Sequence, residues 1–305
     1  WQMIVLRRTA RGRLSEIFGR STVETDTYMR RFDIYRLALS SVNAQDAQTI
    51  AALEAYSDGV NAQFQQINRG SSGRGAPELF VFKTPFAPWQ PADSLAILKL
   101  MALQSSGHLA DEVLRARMSL ALPDTERLND ILPDSPGAGV ASLPQYSSLT
   151  PNVPQYASIS STQNHPLSPF KARGFSGASN AWAAAPSRST TSSTLLANDP
   201  HMTFTAPSIW YLARLELQLG GVIGATVPGI PSIWSGRSAK LGWGVTTAYV
   251  DDQDVVIEQL NPKNSEEYLT PTGFKKFQTR PTIIKIKDEA PVTLTLRWSE
   301  NGPVL

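Results

Sequence analysis

The sequence predicts an α+β fold in which helices come first and strands follow. Through residues 1–68, apolar residues recur at three- and four-residue spacings, as they do along one face of a helix. Residues 179–305 instead carry short strand-like runs that Gly, Pro and Asn separate. Between them, residues 133–178 are rich in Pro, Ser and Gly and have few large apolar groups. We therefore expect a helical segment over 1–132, a linker over 133–178 and a sheet over 179–305.

The helical segment should pack through four apolar stripes. These consist of Met3 and Leu6, of Leu14, Ile17 and Phe18, of Met29, Phe32 and Tyr35, and of Leu53, Tyr56, Val60 and Phe64. Residues 69–93 hold a Gly-rich run and four prolines, which predict a surface loop with a short β-like segment at 79–82.

Two further helices are expected before the linker. Asp93 and Ser94 can cap the first of them, which should end at Gly107. Its apolar face is expected to consist of Leu95, Leu98, Met101 and Ala102. The second helix is expected over 110–120.

Eight strand-like runs are expected after residue 179. They cover residues 181–185, 194–197, 209–219, 222–227, 242–250, 255–260, 282–286 and 292–298.

Composition narrows the class of protein. The 28 basic and 26 acidic residues nearly balance, so nucleic-acid binding is not expected. Four arginines near the start are more typical of a solvated helix face; they are Arg7, Arg8, Arg11 and Arg13. The sequence holds no Cys, which excludes disulfides and a thiolate nucleophile. No apolar run reaches the roughly 18 residues of a membrane span.

Ser179 stands where the linker ends and the strands begin. If the bond between Ala178 and Ser179 is cut, Ser179 becomes a chain terminus. A serine hydroxyl is a poor nucleophile until a base takes its proton, and its own α-amine can be that base. A free α-amine has a reference pKa of about 7.7–8.0, so part of it is unprotonated near neutral pH. The alternative is that Ser179 and Asn180 form only a turn into a strand.

Five sequence blocks follow one another from here. They read Ser-Asn-Ala-Trp at 179–182, Leu-Leu-Ala-Asn-Asp-Pro-His at 195–201, Gly-Ala-Thr-Val-Pro-Gly-Ile-Pro at 224–231, Gly-Trp-Gly-Val-Thr-Thr at 242–247 and Asp-Asp-Gln-Asp at 251–254. In this order they resemble the penicillin amidase (penicillin acylase) family of N-terminal-nucleophile hydrolases, which includes cephalosporin acylases and acyl-homoserine-lactone acylases. Five ordered blocks are far more specific than any one of them.

The resemblance implies an αββα sandwich with a helical α-chain part packed on it. It also implies that residues 133–178 include a spacer excised during maturation, so that an α-chain and a β-chain arise from one precursor. An ordinary flexible linker would have the same composition. Because the family's chains extend further in both directions, the sequence is expected to be an internal fragment of a periplasmic or secreted protein whose leader peptide lies outside it.

The reaction implied by the resemblance is hydrolysis of a linear amide through an acyl-enzyme on Ser179. The backbone N–H of Thr247 is the expected oxyanion donor, and a second donor, an Asn side chain, should lie beyond Leu305. His201 is expected to position the site rather than to act as the general base. The substrate is expected to be a β-lactam side-chain amide or a fatty-acyl homoserine lactone. The fragment alone should be weakly active or inactive.

The resemblance also implies an acyl pocket and a structural calcium ion, with no organic cofactor. The pocket residues are Met202, Trp234, Ser235 and Val245. The calcium ligands are Asp251, Gln253, Asp254 and, from the helical segment, Glu112. Each has an ordinary alternative, since a Trp or Met is more often core, the acidic run could be a strand-edge turn, and an acidic residue can complement a helix N-terminus.

Two other interpretations are compatible with parts of the sequence. Residues 168–171 match the S-x-x-K motif of β-lactamases, but Pro166 and Pro169 lie in or beside the window and no Lys-Thr-Gly follows, so the match is attributed to chance. His108 and His165 are expected on the surface.

The protein could also belong to another functional class, as an uncleaved, non-catalytic relative that acts as a binding protein. Ala178, where many relatives have Gly, bears on the rate of cleavage rather than on its place.

Overall fold

The computed structural model describes residues 1–70, 73, 75–82, 84, 86–105, 108–122, 124, 126–128, 179–202, 205–218, 220–246 and 253–305. Within them the α-helices lie between residues 2 and 121 and the strands between 180 and 298, which confirms the α+β prediction. The domain boundaries and the αββα sandwich stay predictions. No described helix has the length and apolar character needed to cross a bilayer.

The helices follow the predicted order. They are α1 (Gln2–Ala10), α2 (Ser15–Phe18), α3 (Val23–Phe32), α4 (Ile34–Val42), α5 (Ala47–Asn68), α6 (Glu78–Val81), α7 (Pro91–Ser105) and α8 (His108–Ala121). The prediction of a β-like segment at 79–82 was wrong, because this run lies mostly in α6. Pro77 precedes α6 with helical backbone angles, and a four-residue apolar run cannot by itself distinguish a strand from a helical turn.

Helix α7 begins at Pro91, earlier than predicted, because the ring of proline suits the first helical turn. Asp93 supports this start from inside the helix: its Oδ2 accepts the backbone N–H of Gln90 at 2.9 Å. The predicted apolar face was partly wrong, since Leu98 is 42% exposed. The helix buries instead a face that includes Ile97 and Leu100, each 0% exposed. Apolar residues occur on several faces of this helix, so their spacing alone could not show which face is packed.

The described strands are all antiparallel. They are β1 (Asn180–Ala184), β2 (Leu195–Asp199), β3 (Tyr211–Leu215), β4 (Val222–Thr226), β5 (Ser235–Ser238), β6 (Gly242–Trp243), β7 (Leu260–Asn261), β8 (Asn264–Thr270), β9 (Gly273–Lys276), β10 (Gln278–Ile286) and β11 (Glu289–Trp298). They pair as β1-β2, β3-β4-β5-β6, β7-β8-β9 and β10-β11.

Six of the eight predicted strand runs overlap these strands closely or in part. The other two, at 255–260 and 242–250, differ more from the structure. The run at 255–260 was wrong, because only its last residue belongs to a strand, β7. Val255 packs instead against the helical core. The run at 242–250 is a strand only in β6, and residues 247–250 lie outside the described residues. Strands β5, β8 and β9 are rich in polar residues and Gly, which is why hydrophobic alternation did not predict them.

Two apolar clusters hold the described residues together. The first joins α1, α3, α4 and α7 and includes Met29, Ala38 and Leu100. The second joins Ile97 and Met101 of α7 to Val227 and Ile230, which follow β4, together with Trp89. The second cluster therefore attaches the β3–β6 sheet to the helices.

The β10–β11 hairpin is attached separately, at α2 and α3. The backbone N–H of Lys287 donates to the carbonyl of Ser15 at 2.9 Å. Arg30 Nη1 donates to Thr282 Oγ1 at 2.7 Å, and Arg280 pairs with Asp33 at 2.8 Å. These polar contacts join the hairpin to α2 and to the end of α3.

Candidate active site

The hairpin of β1 and β2 places Ser179 beside His201. In its register Asn180 lies opposite Asp199 and Trp182 opposite Ala197. Ser179 comes directly before β1, and His201 comes two residues after β2. Because antiparallel partners run back along each other, the two residues meet at the same end of the hairpin.

The hydroxyl of Ser179 accepts a hydrogen bond from a backbone donor. The N–H of His201 lies 3.2 Å from Ser179 Oγ, and Ser179 is half-buried. An amide N–H can stabilise negative charge that develops on the oxygen, but it cannot accept the proton of the hydroxyl. A base for Ser179 must therefore be another group.

The imidazole of His201 is engaged elsewhere. Its Nε2 lies 3.0 Å from Asp199 Oδ2, and the two side chains are 41% and 61% exposed. The contact between His201 and Ser179 is made by the backbone, so the Ser, His and Asp of the sequence do not form a relay through the imidazole here. The predicted role of His201 in positioning the site stays a prediction.

The segment after β6 reaches the other side of Ser179. Thr246 Oγ1 donates to the carbonyl oxygen of Ser179 at 2.7 Å. Thr247, the predicted oxyanion donor, and Ala178, on the other side of the predicted cleavage site, lie outside the described residues. Their roles stay predictions, although the residue before Thr247 is in contact with the predicted nucleophile.

Asn198 of β2 makes the densest set of contacts at this site. Its Nδ2 donates to the carbonyls of Asn180 at 2.7 Å and Val245 at 2.9 Å. Its Oδ1 accepts from the N–H of Val245 at 3.1 Å and from Ser235 Oγ at 2.7 Å. Neither Asn198 nor Thr246 is among the residues predicted for the site. The available signal was their place within the blocks at 195–201 and 242–247.

The four predicted pocket residues have different surroundings. Met202 and Val245 are 39% and 37% exposed. Ser235 is bound to Asn198 through its hydroxyl. Trp234 packs against the cluster that joins the sheet to α7, with its ring 6.1 Å from that of Trp210. The acyl pocket stays a prediction, and the side chains of two of its four residues, Ser235 and Trp234, already have structural contacts.

The predicted calcium ligands are described only in part. Gln253 Oε1 accepts the backbone N–H of Leu109 at 3.2 Å, near the start of α8, and Glu112 lies on the same helix. Asp254 is exposed, and Asp251 lies outside the described residues. Across the described part of the chain, no three His, Cys, Asp or Glu side chains converge as metal ligands do. Calcium binding stays a prediction.

Comparison with known proteins relates the whole chain to acylases. The family model described as penicillin amidase matches residues 1–305. Acyl-homoserine lactone acylase QuiP of Pseudomonas aeruginosa is 27% identical over 312 residues, which cover 100% of this chain and 36% of that protein. Penicillin acylase 2 proenzyme of Pseudomonas sp. strain SE83 is 30% identical over 315 residues, covering 100% of this chain and 39% of that protein.

A solved structure, thermostable penicillin G acylase from Alcaligenes faecalis, is 27% identical with a TM-score of 0.37, covering 41% of this chain and 23% of that one. The chain thus spans less than two fifths of the curated relatives named above.

Proposed function

Because this chain belongs to the penicillin amidase family, we propose that the full polypeptide containing it is an amidohydrolase with Ser179 as its nucleophile. The enzyme cleaves a linear amide into a carboxylic acid and an amine through an acyl-enzyme. Cleavage between Ala178 and Ser179 frees the α-amine that activates the hydroxyl. The two relatives named as acylases support the amide as the substrate class.

One observation carries this assignment: Ser179 Oγ receives the N–H of His201 at 3.2 Å while the imidazole of His201 pairs with Asp199. A hydroxyl that accepts from a backbone donor still has its own proton to give. After cleavage the nearest amine belongs to Ser179 itself. This supports a base supplied by the chain terminus rather than by a histidine.

In the proposed reaction the α-amine of Ser179 takes the hydroxyl proton as Oγ attacks the amide carbonyl. The N–H of Thr247 and an Asn side chain beyond Leu305 stabilise the oxyanion. The proton then passes to the leaving amine, the C–N bond breaks, and an ester to Oγ remains. Water, activated by the same amine, hydrolyses this ester and restores Ser179. Activity should rise with pH up to the pKa of the amine, about 7.7–8.0 for a free terminus.

The proposal includes the fold and maturation of the family. Residues 1–132 would belong to the α-chain and residues 179–305 to the start of the β-chain, within an αββα sandwich. The location would be periplasmic or secreted. Asp251, Gln253, Asp254 and Glu112 would supply hard oxygen ligands to a structural calcium ion. The contact between Gln253 and Leu109, near the start of the helix that carries Glu112, supports this grouping.

Two acyl donors are compatible with the proposal: a side-chain amide of a β-lactam and a fatty-acyl homoserine lactone. Incubating the full polypeptide with phenylacetyl-nitroanilide and with long-chain acyl-homoserine lactones distinguishes them. Turnover of one identifies the acyl class. Inertness toward both would count against each.

Intact-mass analysis tests the mechanism itself. The wild type should yield two chains, one of which begins Ser-Asn-Ala-Trp, and Ser179→Ala should yield one inactive chain. Ser193→Ala, which alters an exposed serine in the loop between β1 and β2, is the matched control and should behave as the wild type. A wild type that stays uncleaved and inactive would instead favour the non-catalytic binding protein.

A further inference from the structure

Resting on the proposed function, we propose that Asn198 is a positioning residue for the reaction. Its side-chain amide joins Asn180, the residue directly after Ser179, to Val245 in the segment that follows β6. It would thereby hold the nucleophile against Val245 and Thr246, the residues that precede the expected oxyanion donor in the sequence, without itself touching the substrate.

The amide of Asn198 has no hydrogen-bonding capacity left over. A primary amide offers two N–H donors and an oxygen with two lone pairs. Both donors are used, on the carbonyls of Asn180 and Val245, and both lone pairs are used, by the N–H of Val245 and the hydroxyl of Ser235. Any movement of Asn198 would break at least one of these bonds.

The partners of Asn198 also define which way its amide faces. Two of them are carbonyl oxygens, which only accept, so the nitrogen must face them. A third is the backbone N–H of Val245, which only donates, so the oxygen must face it. Asn198 therefore binds both polar backbone groups of Val245, as a residue on a neighbouring strand would.

Contacts on either side strengthen this link. Thr246 Oγ1 donates to the carbonyl of Ser179, and Asn198 links the next residue, Asn180, to Val245. Gly244 makes room for the amide, because a Cβ built there would lie 2.9 Å from both Cβ and Cγ of Asn198. Thr247, the predicted donor, follows Thr246 directly.

Asn61 of α5 provides a matched comparison within the chain. Its Nδ2 donates to the carbonyl of Trp89 at 3.0 Å, and its Oδ1 accepts the N–H of the same residue at 2.6 Å. Asn61 and Asn198 thus each bridge both backbone groups of one distant residue. Asn61 does so between α5 and the segment before α7, in the helical part.

The test compares Asn198→Ala with Asn61→Ala in the full polypeptide. We expect Asn198→Ala to slow self-cleavage and to lower kcat of the cleaved enzyme by about 100-fold, as misplacement of reacting groups by roughly an ångström does. KM should stay within about threefold, because substrate binding is not altered. Asn61→Ala should lower the thermal midpoint at least as much, with kcat within about threefold of wild type.

A second variant covers the case in which Asn198→Ala does not fold. Gly244→Ala keeps the amide but displaces it and should reproduce the loss of kcat. Gly242→Ala is its control and should keep wild-type kcat, because its Cβ would come close only to the flexible end of Leu196, at 2.8 Å, and its other neighbours lie 3.8 Å or more away. Retained kcat in Asn198→Ala, or equal losses in Asn61→Ala, would overturn the positioning role. So would failure of both Asn198→Ala and Gly244→Ala to fold.

The same experiment separates this role from the proposed function. If the wild type is cleaved and active and Ser179→Ala is not, while Asn198→Ala is unchanged, only the positioning role falls. If the wild type is neither cleaved nor active, the reaction falls and the role of Asn198 falls with it.

Discussion

Helix α7 and the β1–β2 hairpin differ in the fraction of their side-chain surface that the other described residues bury. In α7, the side chains of Ala96, Ile97 and Leu100 are 0% exposed. In the hairpin, Trp182 is 63% exposed and Leu196 43%. Among the described residues, apolar burial stabilises the helix, whereas side-chain hydrogen bonds hold the residues around Ser179. The difference suggests that substitutions in the helices change stability first and that substitutions around Ser179 change the reaction first.

The largest effect on stability is expected at a buried charge in the helical part. Asp26 is 0% exposed and accepts the N–H groups of Leu14 and Ser15, each at 2.7 Å. Asp26→Ala would leave two buried donors without acceptors, at a cost of roughly 2–6 kcal/mol in the free energy of unfolding. Denaturant titration measures it. Asp58→Ala, an exposed residue of α5, is the control, at about 0.5 kcal/mol or less.

Leu100→Ala and Leu196→Ala directly test the difference in burial between α7 and the β1–β2 hairpin. Leu100→Ala should cost about 2–5 kcal/mol, because it leaves a cavity in the core. The exposure of Leu196 within the described residues implies less than about 1 kcal/mol for Leu196→Ala. The proposed αββα sandwich would cover this hairpin in the full polypeptide, so we expect Leu196→Ala to cost about 2 kcal/mol or more there. A cost below about 1 kcal/mol would contradict that covering.

Gly229, which follows β4, tests the junction between the β3–β6 sheet and α7. Its φ is 103°, and a Cβ there would lie 2.3 Å from Cδ1 of Ile97. Gly229→Ala should destabilise the protein by about 2–4 kcal/mol, from backbone strain and from overpacking against α7. Gly273, with φ 115° and no described atom within 4 Å of its added Cβ, isolates the strain alone. Equal thermal shifts for Gly229→Ala and Gly273→Ala would show that the contact with Ile97 yields freely.

The smallest effect is expected where charges join the helices to the β10–β11 hairpin. Burial raises the pKa of the Asp33 carboxyl, but hydrogen bonds from Arg280 and Arg36 outweigh burial, so the pKa lies below its ordinary value. The folded state thus binds this proton more weakly than the unfolded state does. The stabilisation is present above the ordinary carboxyl pKa of about 3.9 and is lost as the pH falls through the lowered value.

Asp33→Asn removes this charge while still tolerating the left-handed backbone at φ 53°. The thermal midpoint should fall slightly at neutral pH, in keeping with the roughly 0.2–1 kcal/mol of partly exposed ion pairs. The difference from wild type should shrink as the pH drops below the ordinary carboxyl value. A difference that is constant from neutral to acid pH would mean that the charge of Asp33 is not its source.

Much of the fold could be predicted from local patterns. The helical stripes of residues 1–68 and the helix at 110–120 correspond to described helices, and the runs at 181–185, 194–197 and 222–227 match strands closely. The errors have a common cause. The apolar runs at 79–82 and 255–260 are too short for their period to reveal the element, and the polar strands β8 and β9 show no apolar alternation.

The candidate site was predictable in its members but not in its contacts. The block at 195–201 drew attention to His201, yet its neighbour Asn198 makes four hydrogen bonds to residues that include Val245, 47 positions away. Such partners depend on the path of the chain between them. The period of apolar residues carries no information about that path.

The α+β class, the family and the position of Ser179 immediately ahead of a strand follow from the sequence alone, because they depend on patterns among near neighbours and on ordered blocks. The folding of the chain, by contrast, sets the contacts of His201, which meets Ser179 through its backbone and Asp199 through its imidazole. It also sets the contacts of Asn198, which joins β1 to the segment after β6. Hydrogen bonds are short and directional, so their partners are chosen only when distant parts of the chain come together.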